Sequence, residues 1–130
     1  MLLGDLRITI ITATYNSIKT LEQTIKSVEN QSYKNIQCII IDGGSNDGTV
    51  GLIKHYADKG VIDCWISEKD NGIYDAFNKG IDLANGAYTL FVGPDDCLYN
   101  DFCIDNVVKE IVNSKVDVFS GAVICVDKMD

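Results

Sequence analysis

A chain of 130 residues, 46% of them hydrophobic and 23% charged, is long enough to bury one hydrophobic core and too short for two ordinary domains. Its formal net charge of −8 and its sequence pI near 4.4 argue against non-specific attraction to the phosphates of nucleic acid. An anionic ligand would need a metal ion, a helix N-terminus or well-placed lysines to hold it.

The five cysteines are an odd number without a Cys-x-x-Cys pair, and most of them fall within apolar runs. This pattern is typical of small core residues in a reducing compartment. The chain opens without a basic and apolar signal segment, and no apolar run is long enough to span a bilayer. We therefore expect a cytoplasmic protein, with the inner face of the membrane as the alternative location. The cysteines are Cys38, Cys64, Cys97, Cys103 and Cys125.

The first predicted strand covers residues 7–13, which are β-branched almost throughout. Residues 14–17 favour a turn, and Asn16 or Ser17 is the expected cap of a helix that runs to about Asn30. The apolar side chains of this helix recur at spacings of three and four, which predicts one buried face. They are Ile18, Leu21, Ile25 and Val28.

The second predicted strand, residues 36–42, is too apolar to be half exposed, and it ends on the carboxylate of Asp42. The loop over residues 42–49 is rich in glycine, but its spacing matches neither a dinucleotide-binding fingerprint nor a Walker motif. Its acid and amide groups suit hydrogen bonds to a base or a ribose. A turn capped by Asp47 or Thr49 is the alternative. A second helix follows over residues 50–57.

A third strand is predicted over residues 61–67, followed by a polar loop and by a helix over residues 73–84. Gly80 within that helix costs roughly 1 kcal/mol relative to Ala, so we expect it to pack closely against the sheet. The spacing alone directs Lys79 toward water rather than toward a ligand.

The fourth strand, residues 88–92, is an apolar run that stops at Gly93 and Pro94 and delivers two adjacent carboxylates, Asp95 and Asp96. Ligands of open α/β sheets bind at the carboxyl ends of the strands, which is where both side chains would lie. Neighbouring carboxylates repel each other, and a divalent cation with oxygen ligands relieves that repulsion. An ordinary surface turn is the alternative interpretation.

A helix over residues 102–112 and a fifth strand over residues 116–126 complete the alternation of strands and helices. This order predicts an α/β fold with a doubly wound, mainly parallel sheet and right-handed crossovers.

Four segments lie at predicted strand ends. They are residues 10–16 (Ile-Ile-Thr-Ala-Thr-Tyr-Asn), 40–49 (Ile-Ile-Asp-Gly-Gly-Ser-Asn-Asp-Gly-Thr), 70–80 (Asp-Asn-Gly-Ile-Tyr-Asp-Ala-Phe-Asn-Lys-Gly) and 91–96 (Phe-Val-Gly-Pro-Asp-Asp). Together they resemble the donor-binding half of family 2 glycosyltransferases of the GT-A fold, which is a Rossmann-like α/β fold. The segment over residues 70–80 is similar in form to members that build bacterial surface polysaccharides.

The resemblance implies a nucleotide-sugar site at these strand ends. By position, Ala13 and Tyr15 would border the nucleoside. Asp42 would hydrogen-bond the base, and Lys79 would reach the nucleotide.

It also implies a metal ion, Mn²⁺ or Mg²⁺, on the diphosphate of the donor. Asp95 and Asp96 would hold this ion, and Asp95 would also touch the ribose. Gly93 stands where the family has Asp or Asn, so one contact to the ribose or to the metal is expected to be missing.

The activity that the resemblance implies is an inverting transfer of a sugar, from a donor taken to be UDP-linked, to a hydroxyl of a glycan or lipid-linked glycan. The metal ion would act as a Lewis acid on the leaving diphosphate. The family carries its catalytic base beyond the metal-binding residues, so we assign no catalytic residue. Residues 1–130 are expected to be a single donor-binding domain that ends before the acceptor-binding half. In the resembled fold the packing partners of the strand over residues 116–126 belong to that half, so its apolar side chains are expected to stay exposed and the chain to form a homo-oligomer. Two alternatives stay open, a non-catalytic module that binds nucleotide-sugars and a phosphotransfer receiver domain.

Overall fold

Helices and strands alternate along the chain in the computed structural model, which describes residues 5–114 and 126–128. Every strand and helix that the sequence predicts up to residue 112 is present, with ends that differ by a few residues. The elements are β1 (Ile8–Thr14), α1 (Leu21–Glu29), β2 (Ile36–Asp42), α2 (Thr49–Asp58), β3 (Cys64–Ser67), α3 (Ile73–Leu83), β4 (Tyr88–Phe91), β5 (Asp96–Leu98), α4 (Cys103–Ser114) and β6 (Val126–Lys128).

The first four strands form one parallel sheet in the order β3-β2-β1-β4. Strand β1 pairs with β2 from Ile8 opposite Ile36 to Thr14 opposite Asp42, and it pairs with β4 on its other side. Strands β1 and β2 are buried almost throughout, which suits the β-branched sequence of β1 and the apolar sequence of β2. All four carboxyl ends lie at one edge of the sheet, and the strand order changes direction between β1 and β4.

Helices cover both faces of this sheet, so the predicted α/β architecture is confirmed. On one face α3 packs through Ala76 against Ile11, Ile39 and Ile41. A Cβ on Gly80 would come within 2.7 Å of Ile11 Cγ2, which confirms the close packing expected of this glycine. On the other face, residues of α1, α2 and α4 form a larger core with the sheet, including Leu21, Ile25, Ile53, Ile104 and Val108.

Helix α1 begins at Leu21, later than its apolar pattern predicts, and neither Asn16 nor Ser17 caps it. Asn16 has a φ of 48°, and its Oδ1 accepts the amide of Asn46 at 2.9 Å, so this side chain is committed to the neighbouring loop. Ser17 instead accepts the Leu21 amide with its backbone oxygen, at 2.9 Å. Ile18 therefore precedes the helix and is 36% exposed rather than part of the buried stripe.

A short antiparallel pair of strands, β5 with β6, interrupts the alternation that the sequence predicts. Asp96 lies opposite Lys128 in this pair. Strand β5 has three residues, which is too few to show a hydrophobic period. The predicted strand over residues 116–126 lies outside the described residues apart from Val126, so the homo-oligomer that rests on it stays a prediction.

Cys38 and Cys64 are free thiols. Cys38 and Cys103 are buried, whereas Cys64 and Cys97 are partly buried. Burial raises the pKa of the Cys38 thiol to about 12, which fits a core residue without a chemical role. Within the described part of the chain, no helix has the length and apolar character that crossing a membrane requires.

Candidate functional site

Two pockets at the carboxyl edge of the sheet share Tyr15 and Asp70, and together they form what we call the cleft. Their volumes are about 370 Å³ and about 350 Å³. Tyr15 directly follows β1 and is 62% exposed, so most of its surface is open to a ligand. The first pocket is lined by Tyr15, Gly43, Gly44, Lys69 and Asp70, and the second by Ala13, Thr14, Tyr15, Asp70, Gly72, Ile73, Ala76 and Pro94. The cleft thus contains Ala13 and Tyr15 of the predicted site.

Glycine at position 43 lets two walls of the cleft approach each other. A Cβ here would lie 3.0 Å from Asp70 Oδ2 and 3.5 Å from Tyr15 Cδ1. Asp70 Oδ1 accepts the amide of Gly72 at 3.1 Å, while Oδ2 faces Gly43. The Asp70 carboxylate is therefore placed to accept a hydrogen bond from a ligand.

Asp42 is fully buried at the end of β2, behind the loop that lines the cleft. Its Oδ2 accepts the amides of Gly44 and Ser45, at 3.1 and 2.8 Å, and the hydroxyl of Ser67 at 2.8 Å. Its Oδ1 accepts the Ser45 hydroxyl at 2.5 Å. With four donors from its own chain, this carboxylate fixes the loop over residues 43–46. Its hydrogen bond to a base stays a prediction.

Asp47 joins the loops that follow β1 and β2 and accepts the first amide of α2, as the alternative interpretation expects, although the N-cap residue of α2 is Gly48. Its Oδ1 accepts the amide and the hydroxyl of Thr49, at 3.1 and 2.5 Å, at the start of α2. Its Oδ2 accepts the amide of Ile18 at 3.2 Å. These bonds, chiefly the one from the Thr49 hydroxyl, hold the pKa of Asp47 below its usual value.

Lys79 on α3 is held by two carboxylates beside the cleft. Its Nζ lies 3.0 Å from Glu68 Oε1 and 3.5 Å from Asp75 Oδ2. The hydrogen bond to Glu68 and the charges of both carboxylates raise the pKa of Lys79, so it is protonated at neutral pH. Lys79 is not among the residues that line the two pockets, whereas Lys69 is. Its contact with a nucleotide stays a prediction.

Asp95 and Asp96 follow β4 in a turn that is closed by a hydrogen bond from the Asp96 amide to the Gly93 oxygen, at 3.2 Å. A Cβ on Gly93 would lie 2.8 Å from Asp96 Oδ2 and 3.3 Å from Asp95 Oδ1. The two carboxylates therefore turn toward one space, which glycine leaves open. Pro94 of the same turn lines the cleft.

The carboxyl group of Asp96 also fits a cation because one of its oxygens lacks a partner. Oδ1 is buried and accepts no hydrogen bond. A buried carboxylate oxygen without a partner is costly, and a divalent ion with oxygen ligands would satisfy it. Within residues 5–114, no three His, Cys, Asp or Glu side chains gather into a complete metal site. The pair therefore offers part of a ligand set.

Thr24 and Ser27 on α1, with Gln31 two residues after the end of this helix, form what we call the polar row. They hydrogen-bond to the segment that carries Asp95 and Asp96. The row is absent from the sequence prediction because polar residues on a helix usually face water. Its spacing of three and four, alongside the apolar stripe of the same helix, is the signal that could have identified it.

Lys69 and Asp70 are the cleft residues that the sequence prediction missed. They belong to a polar loop whose composition is that of any exposed turn. The signal for them is positional, since the loop directly follows β3 at the same sheet edge as Tyr15.

Comparison with known proteins gives one matching family and several relatives. The family model described as "Glycosyl transferase family 2" matches residues 9–130. "Glycosyltransferase GlyA" of Streptococcus pneumoniae is 29% identical over 120 residues, which are 92% of this chain and 17% of that protein. "PGL/p-HBAD biosynthesis glycosyltransferase" of Mycobacterium bovis is 35% identical over 94 residues, which are 69% of this chain and 36% of that protein. The chain thus spans well under half the length of these relatives.

Solved structures share the fold. TarS of S. aureus, in complex with UDP-GlcNAc, gives a TM-score of 0.75 at 22% identity over 83% of this chain and 32% of its own. The mannosyltransferase PcManGT of Pyrobaculum calidifontis, in complex with GDP-Man and Mn²⁺, gives 0.75 at 22% identity over 82% of this chain and 32% of its own. At this identity the likeness shows the fold, which is the GT-A type. The family match over residues 9–130 shows that this chain belongs to glycosyl transferase family 2.

Proposed function

We propose that the cleft is the donor site of an inverting glycosyltransferase, which transfers a sugar from a UDP-linked donor to a hydroxyl of a glycan or lipid-linked glycan in cell-surface polysaccharide synthesis. The observation that carries the proposal is the turn over residues 93–96, where two carboxylates point into one space at the strand-order switch and one buried oxygen has no partner. Family membership supports the transferase chemistry. The UDP-GlcNAc bound by TarS and the GDP-Man and Mn²⁺ bound by PcManGT support the donor class and the ion.

The nucleoside would occupy the cleft between Tyr15 and the loop after β2. Tyr15 offers an exposed aromatic ring on which a base can stack. Gly43 keeps the backbone open for close approach, and Asp70 Oδ2 can accept a hydrogen bond from a base N–H or a ribose hydroxyl. Lys69, which lines the same pocket, offsets part of the phosphate charge.

Asp95 and Asp96 would hold Mn²⁺ or Mg²⁺, because both ions prefer oxygen ligands. When bound, the ion supplies positive charge to the leaving diphosphate as a Lewis acid. Two carboxylates fill only part of the coordination shell of such an ion, so oxygens of the diphosphate would complete it. Metal affinity and nucleotide affinity should therefore depend on each other. A cytoplasmic location belongs to the same proposal and is supported by the free thiols of Cys38 and Cys64.

Replacing Asp96 with Asn tests the metal-binding part of the proposal. Asp96→Asn keeps the shape of the side chain and removes a charge from the pair. We expect it to abolish most of the metal-dependent affinity for UDP, a loss of about 2–4 kcal/mol if the bound diphosphate desolvates the pair. The measurement is calorimetric titration of UDP into wild type and variant, with Mn²⁺ and with chelator. If wild type binds UDP equally well with Mn²⁺ and with chelator, Pro94, Asp95 and Asp96 form an ordinary surface turn and not a metal site.

Replacing Asp42 with Asn gives the complementary result. An amide cannot accept all four hydrogen bonds that the buried carboxylate accepts. The loop over residues 43–46 should loosen, at a cost of about 1–3 kcal/mol in unfolding free energy. UDP should bind more weakly to Asp42→Asn, while the ratio of affinities with Mn²⁺ and with chelator stays that of wild type. A changed ratio would place Asp42 with the metal rather than with the nucleoside.

A further inference from the structure

The polar row of Thr24, Ser27 and Gln31 is buried rather than exposed to water. Thr24 and Gln31 are each 1% exposed, and Ser27 is partly buried between them. Thr24 and Ser27 are three residues apart and share one face of α1, and Gln31 follows just after the helix ends. This face lies against the segment over residues 94–104, which runs from the turn after β4 through β5 to the start of α4.

Each member of the row bonds to the backbone of that segment. Ser27 Oγ accepts the Leu98 amide at 3.0 Å. Gln31 Nε2 donates to the Asn100 oxygen at 2.7 Å, and Gln31 Oε1 accepts the Ile104 amide at 3.0 Å. Backbone bonds of this kind fix where the segment lies without depending on its side chains.

Thr24 is the member of the row that lies nearest to the carboxylate pair. Its hydroxyl donates to the backbone oxygen of Asp96 and, at 3.3 Å, to that of Pro94. These two oxygens belong to the residues on either side of Asp95. One side chain of α1 therefore holds the backbone on both sides of a proposed metal ligand.

The turn needs such a restraint because its two carboxylates converge. Strand β4 ends its pairing with β1 at Phe91, and the last backbone bond on this side runs from the Val92 amide to the Ile11 oxygen, at 3.0 Å. Beyond that point, repulsion between the two charges favours opening of the turn. The Thr24 hydroxyl opposes this movement from the side of the helix.

We propose that Thr24 is a positioning residue, which sets the distance between the Asp95 and Asp96 carboxylates before the metal ion and the diphosphate arrive, with Ser27 and Gln31 fixing the chain behind it. This inference rests on the proposed donor site and extends it to a helix that does not line the cleft. Thr24 touches neither ligand nor ion in this role, since it acts through the backbone of the turn.

The experiment compares Thr24→Val with Thr24→Ser in the 130-residue chain. Valine has the shape of threonine without the hydroxyl, whereas serine retains the hydroxyl. Thr9→Val is the matched control, because Thr9 is also fully buried and its hydroxyl bonds Gln37 and Gly86 at the opposite end of the sheet. Calorimetry with Mn²⁺ and with chelator gives the metal-dependent gain in UDP affinity, and thermal unfolding gives the loss of stability.

In Thr24→Val, the metal-dependent gain in UDP affinity should fall about tenfold, which is near the upper range for the loss of one hydrogen bond. The UDP affinity of this variant in chelator should equal that of wild type. Thr24→Ser should retain most of the gain. Thr9→Val should lower Tm to a similar extent without changing UDP binding. Amide hydrogen exchange should become faster at residues 96–98 in Thr24→Val alone.

The inference is overturned if wild type shows metal-dependent UDP binding and Thr24→Val retains all of it. It is also overturned if Thr9→Val loses as much of the metal-dependent gain in UDP affinity as Thr24→Val does. Wild type without metal-dependent binding would instead overturn the proposed donor site itself. If Thr24→Val does not fold, Ser27→Ala takes its place. This variant removes the acceptor of the Leu98 amide, so its metal-dependent gain in UDP affinity should fall by less than that of Thr24→Val, with the wild-type affinity in chelator. An unchanged gain would contradict a positioning role of the polar row.

Discussion

Gly93 is the residue whose interpretation the structure changes most. In the sequence it is a departure from the family pattern, and a contact is expected to be missing there. In the structure the space that a side chain at this position would occupy is already filled by the carboxylates of Asp95 and Asp96. The glycine is therefore required by the arrangement of the pair.

Gly93→Ala should weaken metal binding with little effect on stability. The φ of Gly93 is outside the left-handed region, so the backbone accepts alanine. The atom 2.8 Å from the new Cβ is the far end of a flexible side chain, Asp96, which can rotate away. We expect a change in unfolding free energy within about 1 kcal/mol and a loss of about tenfold in metal-dependent UDP affinity.

The matched control for this variant is Gly51→Ala on α2. No atom lies within 4 Å of a Cβ at position 51. Calorimetry of UDP with Mn²⁺ should therefore separate the two glycines, since the control keeps wild-type affinity. Equal UDP affinities of Gly93→Ala and Gly51→Ala would mean that the arrangement of the Asp95 and Asp96 carboxylates does not depend on the absence of a side chain at position 93.

Single residues of the site could be predicted from the sequence where a strand end marks them and not where tertiary contacts decide their environment. Ala13 lies near the end of β1 and Tyr15 directly follows this strand, and both line the cleft. Asp42 also ends a strand, but its burial depends on donors from Ser45 and Ser67, which are far less visible in the sequence. Lys79 depends in the same way on Glu68, which lies eleven positions away along the chain.

At the scale of the elements, the parallel sheet is predictable because its two central strands are apolar on both faces. Strand β2 shows this most clearly, with six of its seven residues buried. Strand β5 is not predictable, since its three residues acquire a strand conformation by pairing with β6. The start of α1 is displaced by the bonds that hold Asn16 and Ser17 in the preceding turn.

Gly80→Ala tests the contact between α3 and β1. In an exposed helix, this change would stabilise the protein by about 1 kcal/mol. Here the new Cβ would lie 2.7 Å from Ile11 Cγ2, and overpacking of this kind costs about 1–3 kcal/mol. We expect net destabilisation in urea-induced unfolding at neutral pH. Gly51→Ala, on the open face of α2, should be stabilising under the same conditions, and stabilisation by both changes would contradict the close packing of α3.

At the scale of the whole molecule, the dominant property is the net charge of −8. Asp70 in the cleft and the Asp95–Asp96 pair in the adjoining turn add a local set of carboxylates to this background, and Lys69 is the lining residue of opposite charge. A diphosphate entering without a cation therefore approaches a surface that repels it. This repulsion acts over distances that salt can screen.

UDP affinity measured in chelator should therefore rise with ionic strength. Raising the salt concentration from about 10 mM to about 100 mM shortens the screening length from about 30 Å to about 10 Å, which weakens the repulsion. Uridine, which carries no phosphate, is the matched ligand and should bind equally well at both salt concentrations. The measurement is a calorimetric titration of each ligand. An affinity for UDP that falls with added salt in chelator would show that the cleft attracts phosphate on its own.

The bonds that join the first two loops of the cleft have a consequence for how donor preference can change. Asn16 is tied to Asn46, and Asp47 is tied to Ile18, so the walls that follow β1 and β2 are bonded to each other. The loop over residues 68–72 forms the opposing wall, and the Gly72 amide bonds to Asp70 within that loop. We therefore expect substitutions in residues 68–72 to reshape the cleft for another nucleotide while the sheet keeps its stability, whereas substitutions in the two bonded walls alter both at once.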